Sequence, residues 1–296
     1  MMARGGPARR GMRKMYGYAR RVDSGGMTER PVMPDRAALA LDLTGVEIRV
    51  PGKVLATGLD WRVEYGEHWV ILGRNGAGKS TMLSVAAAQR HPSSGTASVL
   101  GHRLGRVDMQ ALRQHIGLVT TGQRLLDQEN ATAHTVVLTG HTGTVLPIWE
   151  KYDESVHARA DVLLAELGCA YLTDRPISVC SQGERARVRI ARALMADPSL
   201  LLLDEPFAGL DLTAREDLIE SLGRLAETRP ELPTVLVTHH LEEIPDSTTN
   251  ALLMHEGRIR TAGKPPEVLT DEWMSECFGR PLRVHHLDGR WAVRAA

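Results

Sequence analysis

Three glycines, a lysine and two hydroxyls within nine residues, Gly73-Arg74-Asn75-Gly76-Ala77-Gly78-Lys79-Ser80-Thr81, satisfy the spacing G-x-x-x-x-G-K-S/T. Those types in that order suit a polyphosphate. Glycine lets a backbone turn tightly enough to bring its N–H groups against phosphate oxygens, and the helix that follows aims its positive end at the same charge. Lys79 is then placed for the β- and γ-phosphates and the Ser80 hydroxyl for Mg²⁺. The apolar run Trp69 to Leu72 in front and the helix-compatible stretch Ser80 to Gln89 behind supply the strand, loop and helix that this motif requires.

A second constellation follows four leucines. Leu200 to Leu203 reads as a strand buried on both faces of a parallel sheet, and it ends in Asp204-Glu205-Pro206. Ligands bind at the carboxyl ends of such strands, so Asp204 is placed to hold magnesium and Glu205 to orient and deprotonate an attacking water. Taken alone, the same three residues would also end a strand and cap a helix. Upstream, Cys180-Ser181-Gln182-Gly183-Glu184 opens a helix expected to run to Met195 and to stop at Asp197-Pro198. A helix start with a hydroxyl and a glycine suits a terminal phosphate, although a plain serine cap explains it equally. Thr234 to Val237 reads as another strand, whose end carries Thr238-His239 and so offers a histidine donor beside the same phosphate, with His240 expected to point elsewhere.

Together these segments resemble a known family. Gly73 to Thr81, Ser181 to Glu184, Leu200 to Pro206, Gly209-Leu210-Asp211 and His239 look like the Walker A, signature, Walker B, D-loop and switch histidine of the ABC-type ATPases, in matching order over most of residues 39 to 280. The resemblance implies an α/β fold of P-loop type: a mostly parallel core sheet, an antiparallel β subdomain and an inserted α-helical subdomain. It also implies ATP and Mg²⁺ as cofactors, hydrolysis to ADP and phosphate, and a head-to-tail dimer in which each ATP lies between one chain's Walker A and the other's signature. Glu205 and His239 would then be catalytic. Gly73 through Thr81, Ser181, Gln182, Gly183, Glu184 and Asp211 would contact nucleotide, and Ser80, Asp204 and Gln123 would hold the metal. Asp211 reads equally as the cap of a helix over Leu212 to Ala226.

Three departures from the family pattern stand out. Cys180 and Gln182 replace the usual Leu and first Gly of Leu-Ser-Gly-Gly-Gln. Thr121 follows the strand Ile116 to Val119 where the family places a glutamine, and Gln123 lies two residues on. The first hairpin offers Arg49 and Val50 where an aromatic residue usually stacks on adenine.

The elements that must position these groups are legible in outline. Leu41, Leu43, Val46 and Ile48, then Leu59, Trp61, Val63 and Tyr65, alternate as antiparallel strands about Gly52, a small β subdomain placed before the phosphate loop, with Trp61 in its core. Residues from about 121 to 175 read as the helical subdomain within a cassette spanning 37–280. Leu252 to Ile259 suggests one hairpin, and residues 281–296, turning at Asp288-Gly289, a second.

Residues 1–36 are rich in arginine and glycine without apolar periodicity and read as a disordered basic extension, or as sequence upstream of a start at Met27 or Met33. With 36 basic and 36 acidic residues, the chain gives no electrostatic case for nucleic-acid binding. Three cysteines, 169, 180 and 277, lie far apart and suit a reducing compartment. No segment approaches the roughly 20 apolar residues of a membrane span. What the family resemblance implies is a cytoplasmic subunit, peripheral on the inner face of the cell membrane, acting as a homodimer or heterodimer of cassettes on a separate integral membrane permease. The segment Leu269-Thr270-Asp271-Glu272 to Phe278-Gly279 resembles importers of iron-siderophore or cobalamin type. The rival expectation is a soluble, non-transport cassette acting on ribosomes or DNA.

Overall fold

The structure, a computed structural model, describes residues 32–120, 131–143 and 152–296. Alternating apolar residues make β1 (Leu41–Val50) and β2 (Lys53–Val63), an antiparallel pair in which Leu43 faces Trp61 and Arg49 faces Val54. Then come β3 (His68–Leu72), α1 (Lys79–Ala86), β4 (Ser94–Val99), β5 (His102–Arg103), α2 (Met109–Arg113) and β6 (Ile116–Thr120). Two helices, α3 (Ala133–Thr142) and α4 (Glu154–Glu166), start at Thr132 and Asp153, whose side chains accept first-turn amides. They pack against α5 (Gln182–Leu194), which leads into β7 (Leu200–Asp204). The remainder comprises α6 (Leu212–Thr228), β8 (Thr234–Val237), β9 (Asn250–His255), β10 (Arg258–Gly263), α7 (Pro265–Val268), α8 (Asp271–Phe278), β11 (Leu282–Leu287) and β12 (Arg290–Ala295).

Six strands form the central sheet in the order β10-β9-β3-β8-β7-β6, parallel throughout except for the β9–β10 hairpin at its edge. Successive residues of its inner strands enter different cores, as the two-residue period of a strand requires. Val70 and Leu72, Leu201 and Leu203 pack with the helices α3 to α6, whereas Trp69 and Ile71, Leu200 and Leu202 pack toward α1 and the second sheet. Each fully buried leucine contributes about 1.5–3 kcal/mol to the fold.

The second sheet has the order β2-β1-β4-β5, so the β subdomain expected before the phosphate loop is completed by strands that follow it. Ser94–Val99 carries only two buried apolar residues, Ala97 and Val99, and its strand identity comes from pairing with β1. The β11–β12 hairpin turns at Asp288 and Gly289, both at positive φ. Among the described residues, no helix is long and apolar enough to cross a membrane.

Candidate active site

The phosphate loop lies between β3 and α1. Gly73 sits at φ 152°, and a Cβ there would stand 2.3 Å from the Met254 carbonyl of β9, so only glycine fits. No side chain caps α1, whose N-cap is Gly78 in the left-handed region. Backbone donors at that helix start are therefore available to an anion. Lys79 is buried, and its ammonium donates to the carbonyls of Gly73 at 2.7 Å and Arg74 at 3.2 Å. Burial holds the Lys79 pKa below the ordinary lysine value, opposed by the carboxylates of Glu205 and Asp204.

β7 brings the two acids to this loop. The Ser80 hydroxyl donates to Asp204 Oδ1 at 3.1 Å. Burial pushes the Asp204 pKa up; the Ser80 bond opposes that, Glu205 reinforces it, and Lys79 opposes it again. Hydroxyl and carboxylate side by side form a hard-oxygen pair, and an acid disfavoured by burial is one that a divalent cation would relieve. The residues thus fit Mg²⁺. Glu205 follows at φ 51°, a conformation that costs a non-glycine residue about 1–3 kcal/mol and recurs at functional sites. His239 follows β8 and presents Nδ1 to Glu205 Oε1 at 3.5 Å. His240 does not diverge as expected, because the chain has left the strand; the two rings lie 4.0 Å apart.

A cleft of about 620 Å³ opens over this loop, lined by Lys53, Val54 and Leu55 of β2, by Asn75 through Thr81, by Glu205 and by the Glu256-Gly257 turn. That volume suits a nucleotide. Of the phosphate-loop residues, Gly73 and Arg74 lie outside the lining. The hairpin contributes Val54 to the cleft where Arg49 and Val50 were expected, since the Arg49 guanidinium is drawn onto Glu47.

The Ser181 to Glu184 segment is built as a capping box. Ser181 Oγ accepts the Glu184 amide at 3.2 Å, while the Glu184 carboxylate accepts the Ser181 amide at 2.6 Å, the Tyr171 hydroxyl at 3.1 Å and Arg175 at 3.3 Å. Glu184 is committed to the cap. A Cβ on Gly183 would stand 2.6 Å from Ala214 Cβ, so this glycine also sets how closely α5 approaches α6. Ser181, Gln182, Gly183 and Glu184 do not line the cleft, nor does Asp211, whose side chain caps α6 through the Ala214 amide at 2.8 Å. β6 ends at Thr120 in register with Asp204, while Thr121 and Gln123 lie outside the described residues.

The chain is similar to known proteins. Residues 56–208 match the family described as ABC transporter. Over 248 residues the chain is 38% identical to YlmA of Bacillus subtilis (strain 168), an uncharacterized ABC transporter ATP-binding protein, with 83% of this chain and 93% of that protein covered. It is 31% identical over 253 residues to YmeB of Lactococcus lactis, described in the same words, covering 86% and 97%. Among solved structures, cbiO1 of Clostridium perfringens, described as part of the ABC transporter complex cbiONQ, matches with a TM-score of 0.68 at 27% identity, covering 80% of this chain and 93% of that one. On its fold, its phosphate loop and these relatives, the chain belongs to the ABC transporter family and is an ATP-binding ATPase of that family.

Proposed function

We propose that two such cassettes close head to tail around ATP and drive a separate membrane permease. One observation carries this reading: the cleft over Lys79 and Glu205 receives nothing from the capped start of α5, so that start is available to a second chain's nucleotide. Lys79 holds the β- and γ-phosphates. Glu205 accepts the proton of the attacking water, and His239, beside it, donates to the γ-phosphoryl group. Mg²⁺, held by Ser80 and Asp204 with Gln123 as a further ligand, would neutralise charge on the β- and γ-phosphates.

The partner's Ser181 hydroxyl and Gly183 amide meet the γ-phosphate from the other side, with Gln182 beside them, Glu184 stiffening the cap and Asp211 sensing the opposite site. Loss of the γ-phosphate removes the bridging anion and opens the dimer. The working place is the cytoplasmic face of a membrane.

Purification of the full chain from detergent-solubilised membranes tests the permease. A co-purifying integral membrane protein supports transport, whereas ribosomal or DNA-bound material supports the soluble alternative. Ser181→Arg tests the shared site: nucleotide binding persists and turnover is lost, and unchanged turnover removes the α5 start from the reaction.

A further inference from the structure

The β11–β12 hairpin does more than close the chain. Trp291 is buried in the helical core, and Asp271 of α8 accepts both the Val284 amide and the Arg283 guanidinium at 2.7 Å, which fixes the hairpin on the body. From that anchored position Arg290 reaches α6 and the loop that follows β8. Its guanidinium forms a two-pronged pair with Glu216 of α6, at 2.5 and 3.0 Å, and donates to the Glu242 carbonyl at 2.8 Å. Glu216 lies on the helix that Asp211 caps, and Glu242 lies three residues beyond His239.

The segment around His239 is clamped from both sides. Thr238 donates to the buried carboxylate of Glu243, and the His240 amide donates to Thr238 Oγ1 at 3.1 Å. His239 therefore hangs between two fixed residues, and its segment continues directly into the Glu242 carbonyl that Arg290 holds. We propose that Arg290 is a positioning residue for ATP hydrolysis: it locks the loop after β8 against α6 and thereby holds His239 at Glu205. This rests on the assignment of His239 as the γ-phosphate contact.

A part-exposed ion pair contributes little to stability by itself. The fork geometry has a different consequence, because it fixes orientation as well as charge. Lysine at this position could keep one of the contacts and not the planar fork.

Steady-state ATPase assays on the full chain test the proposal, using Arg290→Ala, Arg290→Lys, His239→Ala and the double variant Arg290→Ala/His239→Ala. Arg290→Ala is expected to lower kcat about tenfold with KM for ATP within about twofold, because the cleft lining does not include this region. Arg290→Lys, which keeps the charge, should fall between. In the His239→Ala background the Arg290→Ala loss should shrink below about twofold, since its route of action is gone. Equal multiplicative losses in both backgrounds, or a kcat for Arg290→Lys and Arg290→Ala equal to that of the parent, overturn the inference. Parental turnover in His239→Ala instead sinks the histidine assignment beneath it.

Discussion

The Ser80 hydroxyl donates to the Asp204 carboxylate at 3.1 Å across 124 positions of sequence, joining the helix after the phosphate loop to the strand that ends in acids. The Asp204 carboxyl is held above its ordinary pKa, first by burial. A raised acid favours its protonated form in the folded chain, so its contribution to stability is fully present below the unfolded pKa and lost as pH rises through the folded value. At neutral pH the ionised side chain therefore weakens the fold. Asp204→Asn keeps an acceptor for Ser80 and removes that charge. Calorimetry at pH 7 should show a midpoint raised by a few degrees, with ATP hydrolysis abolished, and the gain should vanish in acid. A lowered midpoint at pH 7 refutes the account.

Glu205→Gln removes the group assigned to take the water proton while leaving Lys79, Ser80 and Asp204 in place. Turnover should fall by at least about 10²-fold. Nucleotide binding should survive, and light scattering with ATP and Mg²⁺ should detect accumulating dimers. A strictly monomeric sample at high concentration would contradict the two-chain site.

Gly183→Ala should destabilise the chain through packing before chemistry is considered. The added methyl would stand 2.6 Å from Ala214 Cβ and force α5 away from α6, a strain of about 1–3 kcal/mol. Urea unfolding reads the loss. Ala214→Gly removes the opposing methyl, so the double variant should recover part of the midpoint; no recovery would place the strain elsewhere.

Val54 lines the cleft at 46% exposure, where an aromatic face could stack on a base. Val54→Tyr should tighten binding of a fluorescent ATP analogue by about 2- to 12-fold, the worth of one stacked aromatic pair. Unchanged or weaker affinity would move the base away from this strand.

Which of these features could be read from the chain depends on how local their causes are. Leu200 to Leu203 announces a doubly buried strand because four adjacent leucines leave no solvent face, and Asp211 announces a cap because the helix it opens follows immediately. Ser94–Val99 carries no such mark, since its pairing partner lies some fifty residues earlier in β1. Arg49 stands where the family resemblance places a residue stacked on adenine, and the neighbouring Glu47, two positions away on the same strand, takes it elsewhere. The link among Glu216, Glu242 and Arg290 joins three distant segments and has no sequence signature at all.

The four leucines of β7 leave one question that the pair Asp204 and Ser80 answers. In most strands, sliding by one position swaps apolar for polar side chains and is punished at once. Here a slip would replace leucine by leucine on either layer, so greasy contact alone is blind to alignment. What resists the slip is the acid at its end, which one step inward would be dragged into the sheet without a partner. The reactive end of the strand thereby serves as its ruler, and Asp204→Asn, which leaves a polar group for Ser80 at that end, gives up the chemistry while keeping the measure.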